Sequence, residues 1–342
     1  MRQLATIQQI AEIKPIEGAD RIVMARINGW WVVTAKDNNF EVGQDVCYLE
    51  IDSFLPNIPP FEFLKKGSSL RKLMVDGVER EGIRLKTIRL RGQISQGLIM
   101  PLAELTNYSK EPLSEKTTGD DITEALGVYK WEPPIPAQLV GKVKGSFPGF
   151  LRKTDEERIQ NMPDVLSGFY VTEKLDGSSV TFYKKDGVFG VCSRNLDLLE
   201  TEGNTQWRIA RELGLAEKLP DNFAIQGELV GEGIQGNPYK IKGQKVYFFN
   251  AYNVVSGTYL NFEDFKQFFA GIGLQTVPIL NEHFALPETV DDLLILANGQ
   301  SALDGSVLRE GIVVRPKIEM NYKGSRLSFK AISNQYLLKN ES

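Results

Sequence analysis

Histidine is almost missing from this chain of 342 residues: His283, beside Glu282, is the only one. That excludes chemistry built on a histidine pair and leaves a Ser-His-Asp triad little to stand on. Cysteine is nearly as scarce, with Cys47 and Cys192 far apart and at no metal-ligand spacing. Neither a disulfide framework nor a zinc ribbon is expected, and a reducing compartment such as the cytoplasm is. No stretch approaches the roughly 20 apolar residues a membrane helix needs. Met1-Arg2-Gln3-Leu4 leads into no apolar run, so no secretory signal is expected. Basic residues are not in excess: 40 Lys and Arg stand against 44 Asp and Glu, a net charge of -4. Any nucleic-acid contact must therefore come from local basic patches. No internal repeat or low-complexity tract occurs.

What is there is ordinary globular composition, 42% hydrophobic and 25% charged, in a length that suggests two domains. Up to about Leu105 the pattern is all-β. Leu4-Ile7, Arg21-Ile27, Trp30-Thr34 and Asp45-Ile51 are short and β-branched, separated by Gly, Asp and Asn turns. Such spacing predicts a small closed barrel over residues 1–110. Phe61-Leu64 predicts a short helix. From Gly82 to Gly92, apolar residues alternate with Arg84, Lys86, Arg89 and Arg91 and slip phase once, as at a bulge. This basic strand is a candidate phosphate-tracking surface, or else an edge protected by charge. Ile94-Pro101 predicts the closing strand. Residues 111–136 turn polar and Pro-rich and predict an inter-domain linker with one short helix, Asp121-Leu126. The second domain is expected over 137–342.

Glu173-Lys174-Leu175-Asp176-Gly177-Ser178-Ser179 is the stretch with the sharpest chemistry. It lies between two strand patterns, Gly168-Thr172 and Val180-Tyr183. A lysine in an Asp-Gly corner on a rigid sheet is exposed and held at once, and the glycine would let phosphates approach the backbone. To act as a nucleophile the amine must be uncharged, which costs roughly 4.6 kcal/mol at pH 7 from its reference pKa. Neighbouring cations would reduce that cost. On its own the stretch equally fits a Lys-Asp pair decorating a hairpin. The wider pattern favours chemistry, because apolar strands carry single polar residues at their ends: Lys174, Glu228, Glu310 and Lys330. An attacking amine, two carboxylates suited to Mg²⁺ and a second lysine for phosphate form one kit for nucleotidyl transfer. Upstream, Thr154 with Glu157 predicts a capped helix.

Six segments carry a resemblance. Glu173-Ser179 resembles motif I of the covalent nucleotidyltransferases, the superfamily of ATP-dependent DNA and RNA ligases and GTP-dependent mRNA capping enzymes. Ser193-Arg194-Asn195 resembles motif Ia, Gln226-Gly231 motif III, Val246-Tyr252 motif IIIa, Arg309-Arg315 motif IV and Ser328-Ser333 motif V. They follow the superfamily's order. The resemblance implies an α+β protein: an N-terminal OB-type β-barrel, then a nucleotidyltransferase domain of DNA ligase/mRNA capping enzyme and ATP-grasp type, mostly antiparallel sheets with flanking helices. Because the barrel comes first, the chain is similar to the RNA ligase family with an N-terminal OB domain. Ile16-Arg21 also resembles an OB domain of tRNA-binding type.

That family implies Lys174 as the amine adenylylated by ATP and Lys330 as the grip on the α-phosphate. It implies Asp176, Glu228 and Glu310 around a hydrated Mg²⁺ or Mn²⁺, with Glu173 and Arg194 at the nucleotide and Phe249 stacked on adenine. Lys153 and Arg158 are further phosphate candidates. The expected partner is a nicked nucleic acid with an RNA 3′-OH and a 5′-phosphate, met by a monomer away from any membrane. Many relatives carry two lysines in motif V. Here Ser328 stands two residues before Lys330, so Lys330 does both jobs or Lys323 or Arg326 supplies the second charge. DNA ligase, capping-type guanylyltransferase and non-catalytic OB-fold RNA binder are the competing expectations. The presence of Lys174, Asp176, Glu228, Glu310 and Lys330 together argues against a decayed site.

Overall fold

A computed structural model describes residues 3–75, 77–131, 141–154, 157–158, 168–322 and 325–340. The chain divides into two compact units, Met1–Ile135 with Leu338–Ser342, and Pro136–Leu337.

The first unit is built of antiparallel strands. Ala5–Gln9, Asp45–Leu49 and Leu98–Met100 form one sheet, and Glu12–Pro15, Ile22–Ile27 and Trp30–Ala35 another. Alternation sets the core: Ala25, Ile27, Trp30, Val32, Val46 and Tyr48 point inward and pack together. The short helix expected at Phe61 is a 3-10 helix, Pro59–Lys66, with Phe61 fully buried.

Three expectations in this unit need correcting. The stretch expected to be a linker is largely core. Leu113, Ile122, Ala125, Leu126 and Val128 pack against Ile7, Leu49 and Leu55. The Thr123 hydroxyl accepts from the backbone N–H groups of Leu4 and Ala5 at 3.0 and 3.1 Å. Asp121–Leu126 is a bridge and turns rather than a helix, because Thr123 and Asp121 spend their side chains on neighbouring backbone and on each other. Residues 132–136 lie outside the described residues. The phase slip near Thr87 is a break between two strands, Val78–Arg84 and Ile88–Leu90, which join different sheets, not a bulge in one strand. Likewise the closing strand is two pieces, Gln93–Ser95 and Leu98–Met100, parted at Gly97. Gly97 has φ +125°, and a Cβ there would press into the Tyr48 ring and the Leu49 carbonyl.

Among the described residues the second unit holds two large sheets and a two-stranded one, Asn321–Tyr322 with Ser325–Arg326. The six-stranded one is antiparallel, in the order Val143–Ser146, Leu196–Leu198, Val188–Ser193, Ser178–Lys185, Phe223–Gly231, Gln244–Asn253. Its Val180, Phe182, Ile225, Leu229 and Phe248 pack against helices Thr205–Glu212 and Phe262–Gly271 through Trp207, Ile209, Phe265 and Phe269. Burying each such phenylalanine contributes about 1.5–3 kcal/mol. The first helix starts where Asn204 accepts from the Trp207 N–H.

The five-stranded sheet runs Glu157–Arg158, Phe329–Ile332, Gly311–Pro316, Phe169–Lys174, Ile279–Phe284, with only the first pairing parallel. Glu157 and Arg158 thus lie in a strand, not in the helix expected from Thr154; the residues flanking them are outside those described. One face of this sheet, Phe169, Val171, Ile312, Val314, Phe329 and Ala331, packs on helix Val290–Ala297. The alternate residues Thr172, Lys174, Val313, Arg315 and Lys330 line a cleft.

Candidate active site

The stretch Leu175-Asp176-Gly177 is where the backbone crosses from one sheet to the other. Lys174 closes the strand Phe169–Lys174, paired with Gly311 in the five-stranded sheet, and Ser178 opens Ser178–Lys185, paired with Leu229 in the six-stranded one. The two strands are therefore not a hairpin, and the lysine is not decoration on one. Gly177 is required by packing. A Cβ there would press into the Leu229 carbonyl oxygen and come within 2.8 and 2.9 Å of Val230 Cγ1 and Glu228 Cγ. The neighbouring strand is reason enough for this glycine, apart from the phosphate approach expected of it. Gly177→Ala is expected to destabilise the protein by roughly 1–3 kcal/mol. A thermal melt measures this, and an unchanged melting temperature would contradict the packing.

Two tyrosines hold the corner. The Asp176 N–H donates to Tyr239 Oη at 2.7 Å, and the Tyr336 hydroxyl donates to the Asp176 carboxylate. Neither was visible in the sequence. They lie 63 and 160 residues away, and a tyrosine that makes one long-range hydrogen bond, as acceptor or donor, leaves no local pattern.

The cleft, about 350 Å³, is lined by Glu173, Lys174, Asp176, Arg194, Glu228, Phe249, Glu310 and Lys330 together with Thr154, Gln235 and Arg315. Eight expected residues are thus brought together from six segments. Lys153 is not among them: it is exposed, although Thr154 beside it bonds Ser179 Oγ at 2.8 Å and does line the cleft. Arg326 is also elsewhere, held by Glu319 and the Asn250 amide oxygen and stacked 3.6 Å above the Tyr259 ring. It is not the second motif V cation. Lys323 lies outside the described residues, as does the side chain of Arg158.

The cleft lining carries four bases, Lys174, Arg194, Arg315 and Lys330, and four acids, Glu173, Asp176, Glu228 and Glu310. Lys174 Nζ donates to Glu310 Oε1 at 2.5 Å, with the two side chains 26% and 18% exposed. Burial works to lower the lysine's pKa, but Glu310, Glu228 and Asp176 outweigh it, and the net direction is upward. These acids hold the amine charged, so the uncharged nucleophile expected from sequence depends on cations that offset them. Burial pushes Glu228 up to about 8, against the pull of Lys174 and with the push of Glu310 and Asp176. Glu173 is 1% exposed and accepts from the Ala302 N–H at 2.7 Å, and burial raises its pKa too. Glu310 Oε2 is buried and has no hydrogen-bond partner among the described residues. Among those residues no three His, Cys, Asp or Glu side chains form a ready metal cage. Phe249 is half-buried. Its ring packs against the cluster of Leu175, Val230 and Tyr239, and the Arg315 guanidinium sits 5.9 Å from its centre.

A two-sheet cleft with the amine on the crossing segment, and a separate β-unit before it, defines a ligase-type nucleotidyltransferase carrying an N-terminal OB fold. Comparisons agree with that class. An OB-fold domain model matches residues 4–102 and an RNA ligase model residues 167–332. Among solved structures, Naegleria gruberi RNA ligase with PPi is 40% identical, with a TM-score of 0.82, over 100% of this chain and 99% of that one. A lysine-to-methionine variant of the same ligase with AMP and Mn is 40% identical at TM-score 0.82, over 99% of each chain. A glutamate-to-alanine variant with ATP and Mn is 40% identical at TM-score 0.81, over 100% of each. No curated protein sequence matches. The chain belongs to the RNA ligase family. Among its described residues no helix is long and apolar enough to cross a membrane.

Proposed function

We propose that this RNA ligase seals nicks bearing an RNA 3′-OH and a 5′-phosphate, consuming ATP and passing AMP through Lys174. One observation carries the reading: Lys174, Asp176, Glu228, Glu310 and Lys330 share a single cleft, with the amine bonded to Glu310. The ATP, AMP, Mn and PPi held by the Naegleria relatives support it.

The chemistry runs in three displacements at phosphorus. The Lys174 nitrogen attacks the α-phosphate of ATP, loses a proton, and forms an N–P bond as the bond to the β-phosphate breaks and pyrophosphate leaves. A 5′-phosphate oxygen then attacks the same phosphorus, and the lysine amine leaves. Finally the 3′-OH attacks the 5′-phosphate, the phosphodiester forms and AMP departs. Lys330 grips the α-phosphate, Phe249 stacks on adenine with Glu173 at its edge, and Arg194 meets the ribose or the incoming end. Base-aromatic stacking of this kind is worth about 1–3 kcal/mol.

The carboxylate oxygens of Glu310, Glu228 and Asp176 fit Mg²⁺ or Mn²⁺, and Glu310 Oε2, without a hydrogen-bond partner among the described residues, is a donor such an ion would take. When bound, the cation neutralises charge on the acids and on the α-phosphate, which removes what holds Lys174 protonated. Buried, unpaired Cys47 and Cys192 support a reducing compartment, and we take the working form to be a monomer.

Incubation with ATP labelled at the α-phosphate and Mn²⁺ should leave label on the protein, and labelled GTP should leave none. Chasing with nicked duplexes of mixed RNA and DNA strands should seal those with an RNA 3′-OH. Stable labelling by GTP, or sealing that needs a DNA 3′-OH, would overturn the proposal.

A further inference from the structure

Motif V lacks its first lysine, and the structure offers a different cation. We infer that Arg315 is a nucleotide-phosphate contact that stands in for the missing lysine, with Ser328 as the group that aims it. This rests on the ATP-dependent reading above.

The placement follows from strand geometry. Arg315 is on Gly311–Pro316, which pairs with Phe329–Ile332 so that Val313 faces Lys330 and Val314 faces Phe329. On the other side Arg315 is opposite Tyr170 and Val313 opposite Thr172. Period-2 alternation puts Arg315 on the same sheet face as Lys174 and Lys330, two positions along from Val313. It lines the cleft with both of them. An arginine at this depth is unusual, since its residue is only 2% exposed.

Its orientation is fixed from two sides. Nε donates to Ser328 Oγ at 2.8 Å, and Nη1 donates to the Phe249 carbonyl at 2.8 Å. The Ser328 contact is the telling one. The position two before Lys330 holds a short acceptor, and that acceptor receives a guanidinium arriving from the adjacent strand. A lysine at 328 would compete with Arg315 for that space and for that charge. A guanidinium held this way keeps its charge and its orientation fixed, and charged guanidinium N–H groups make the strong, short hydrogen bonds that phosphate oxygens accept. Its neighbour is the Phe249 ring, 5.9 Å from the guanidinium carbon, so a nucleotide with its base on that ring would bring phosphates toward Lys330 and Arg315 together.

The test separates a phosphate contact from a mere prop under Phe249. Equilibrium binding of ATP and of adenosine is measured by calorimetry, with Mn²⁺ present, in a Lys174→Ala background where no chemistry can occur. Arg315→Gln is expected to weaken ATP by about tenfold or more, as loss of a charge-assisted hydrogen bond would, and to leave adenosine unchanged. Adding Ser328→Lys to Arg315→Gln should recover much of the ATP affinity, whereas adding Ser328→Ala should not. Arg315→Lys, which keeps the charge, guards against loss through misfolding, and circular dichroism checks each variant. Unchanged ATP binding, an equal loss for ATP and adenosine, or no recovery with Ser328→Lys would each overturn the inference. Failure of the parent chain to take label from ATP would instead overturn the functional reading beneath it.

Discussion

Lys174→Ala leaves a protein that takes no label from ATP, a loss on the order of 10⁴-fold or more, yet still joins a nick whose 5′ end already carries AMP. The asymmetry follows from the chemistry. The amine is nucleophile in the first displacement and leaving group in the second, but forms no bond in the third. A prop that held the cleft open would instead lower all three steps together. Gel detection of labelled protein measures the first effect, and sealing of a synthetic adenylylated strand measures the second. If the variant still labels, the nucleophile lies elsewhere. If it loses both activities while melting normally, Lys174 contributes more than a bond-forming nitrogen. Removing the lysine also removes the hydrogen-bond partner of Glu310 Oε1, beside Glu228 and Asp176. Without metal the variant should therefore melt lower than the parent, and added Mn²⁺ should recover part of the difference.

Glu228→Gln is expected to move activity and stability in opposite directions. Burial holds the Glu228 carboxyl up to about 8 in the folded chain, from an ordinary value of 4.5. Between those values the folded form binds a proton that the unfolded form has released, so stability falls as pH rises through this window. A neutral amide of the same shape removes that dependence. The metal-free variant should gain about 2 °C or more in melting temperature at pH 8, and the gain should shrink as pH falls toward 5. Labelling should drop sharply at every pH, because the amide brings no charge to a divalent ion or to the amine. A variant that melts lower than the parent at pH 8 would show that the carboxylate is stabilised in place, not strained.

The chemistry-bearing residues were legible because each sits in a short motif on or beside a strand: Lys174, Glu228, Glu310 and Lys330 all reach the cleft, although Glu228, expected at a strand end, lies inside Phe223–Gly231. What held them was not legible. Tyr239 and Tyr336 act across long sequence separations, and Arg315 was read only as the end of a motif. Its role depends on which strand runs beside it, and pairing of distant strands cannot be read from alternation alone. The linker misreading has a compositional cause. Residues 106–131 are polar on average, and the five apolar side chains that enter the core are spaced by turns rather than by a regular period. The second role of the acids was not legible for a related reason. Sequence showed the acids as metal ligands, whereas the folded chain brings them to the lysine itself.

The crossing between sheets also limits how this enzyme can diverge. Lys174 is in register with Gly311 and Ser178 with Leu229, so both ends of the intervening tripeptide are pinned. One residue added or deleted there would either turn the lysine to the opposite side of its sheet or pull the next strand out of step. The tripeptide's length is therefore fixed by both sheets at once, whereas the turn at Asp186-Gly187 joins neighbouring strands of one sheet and is tied only to Asp221 and Asn222. Grafting the first unit onto a foreign transferase, or trading whole sheets between relatives, should succeed only with cut points outside this bridge.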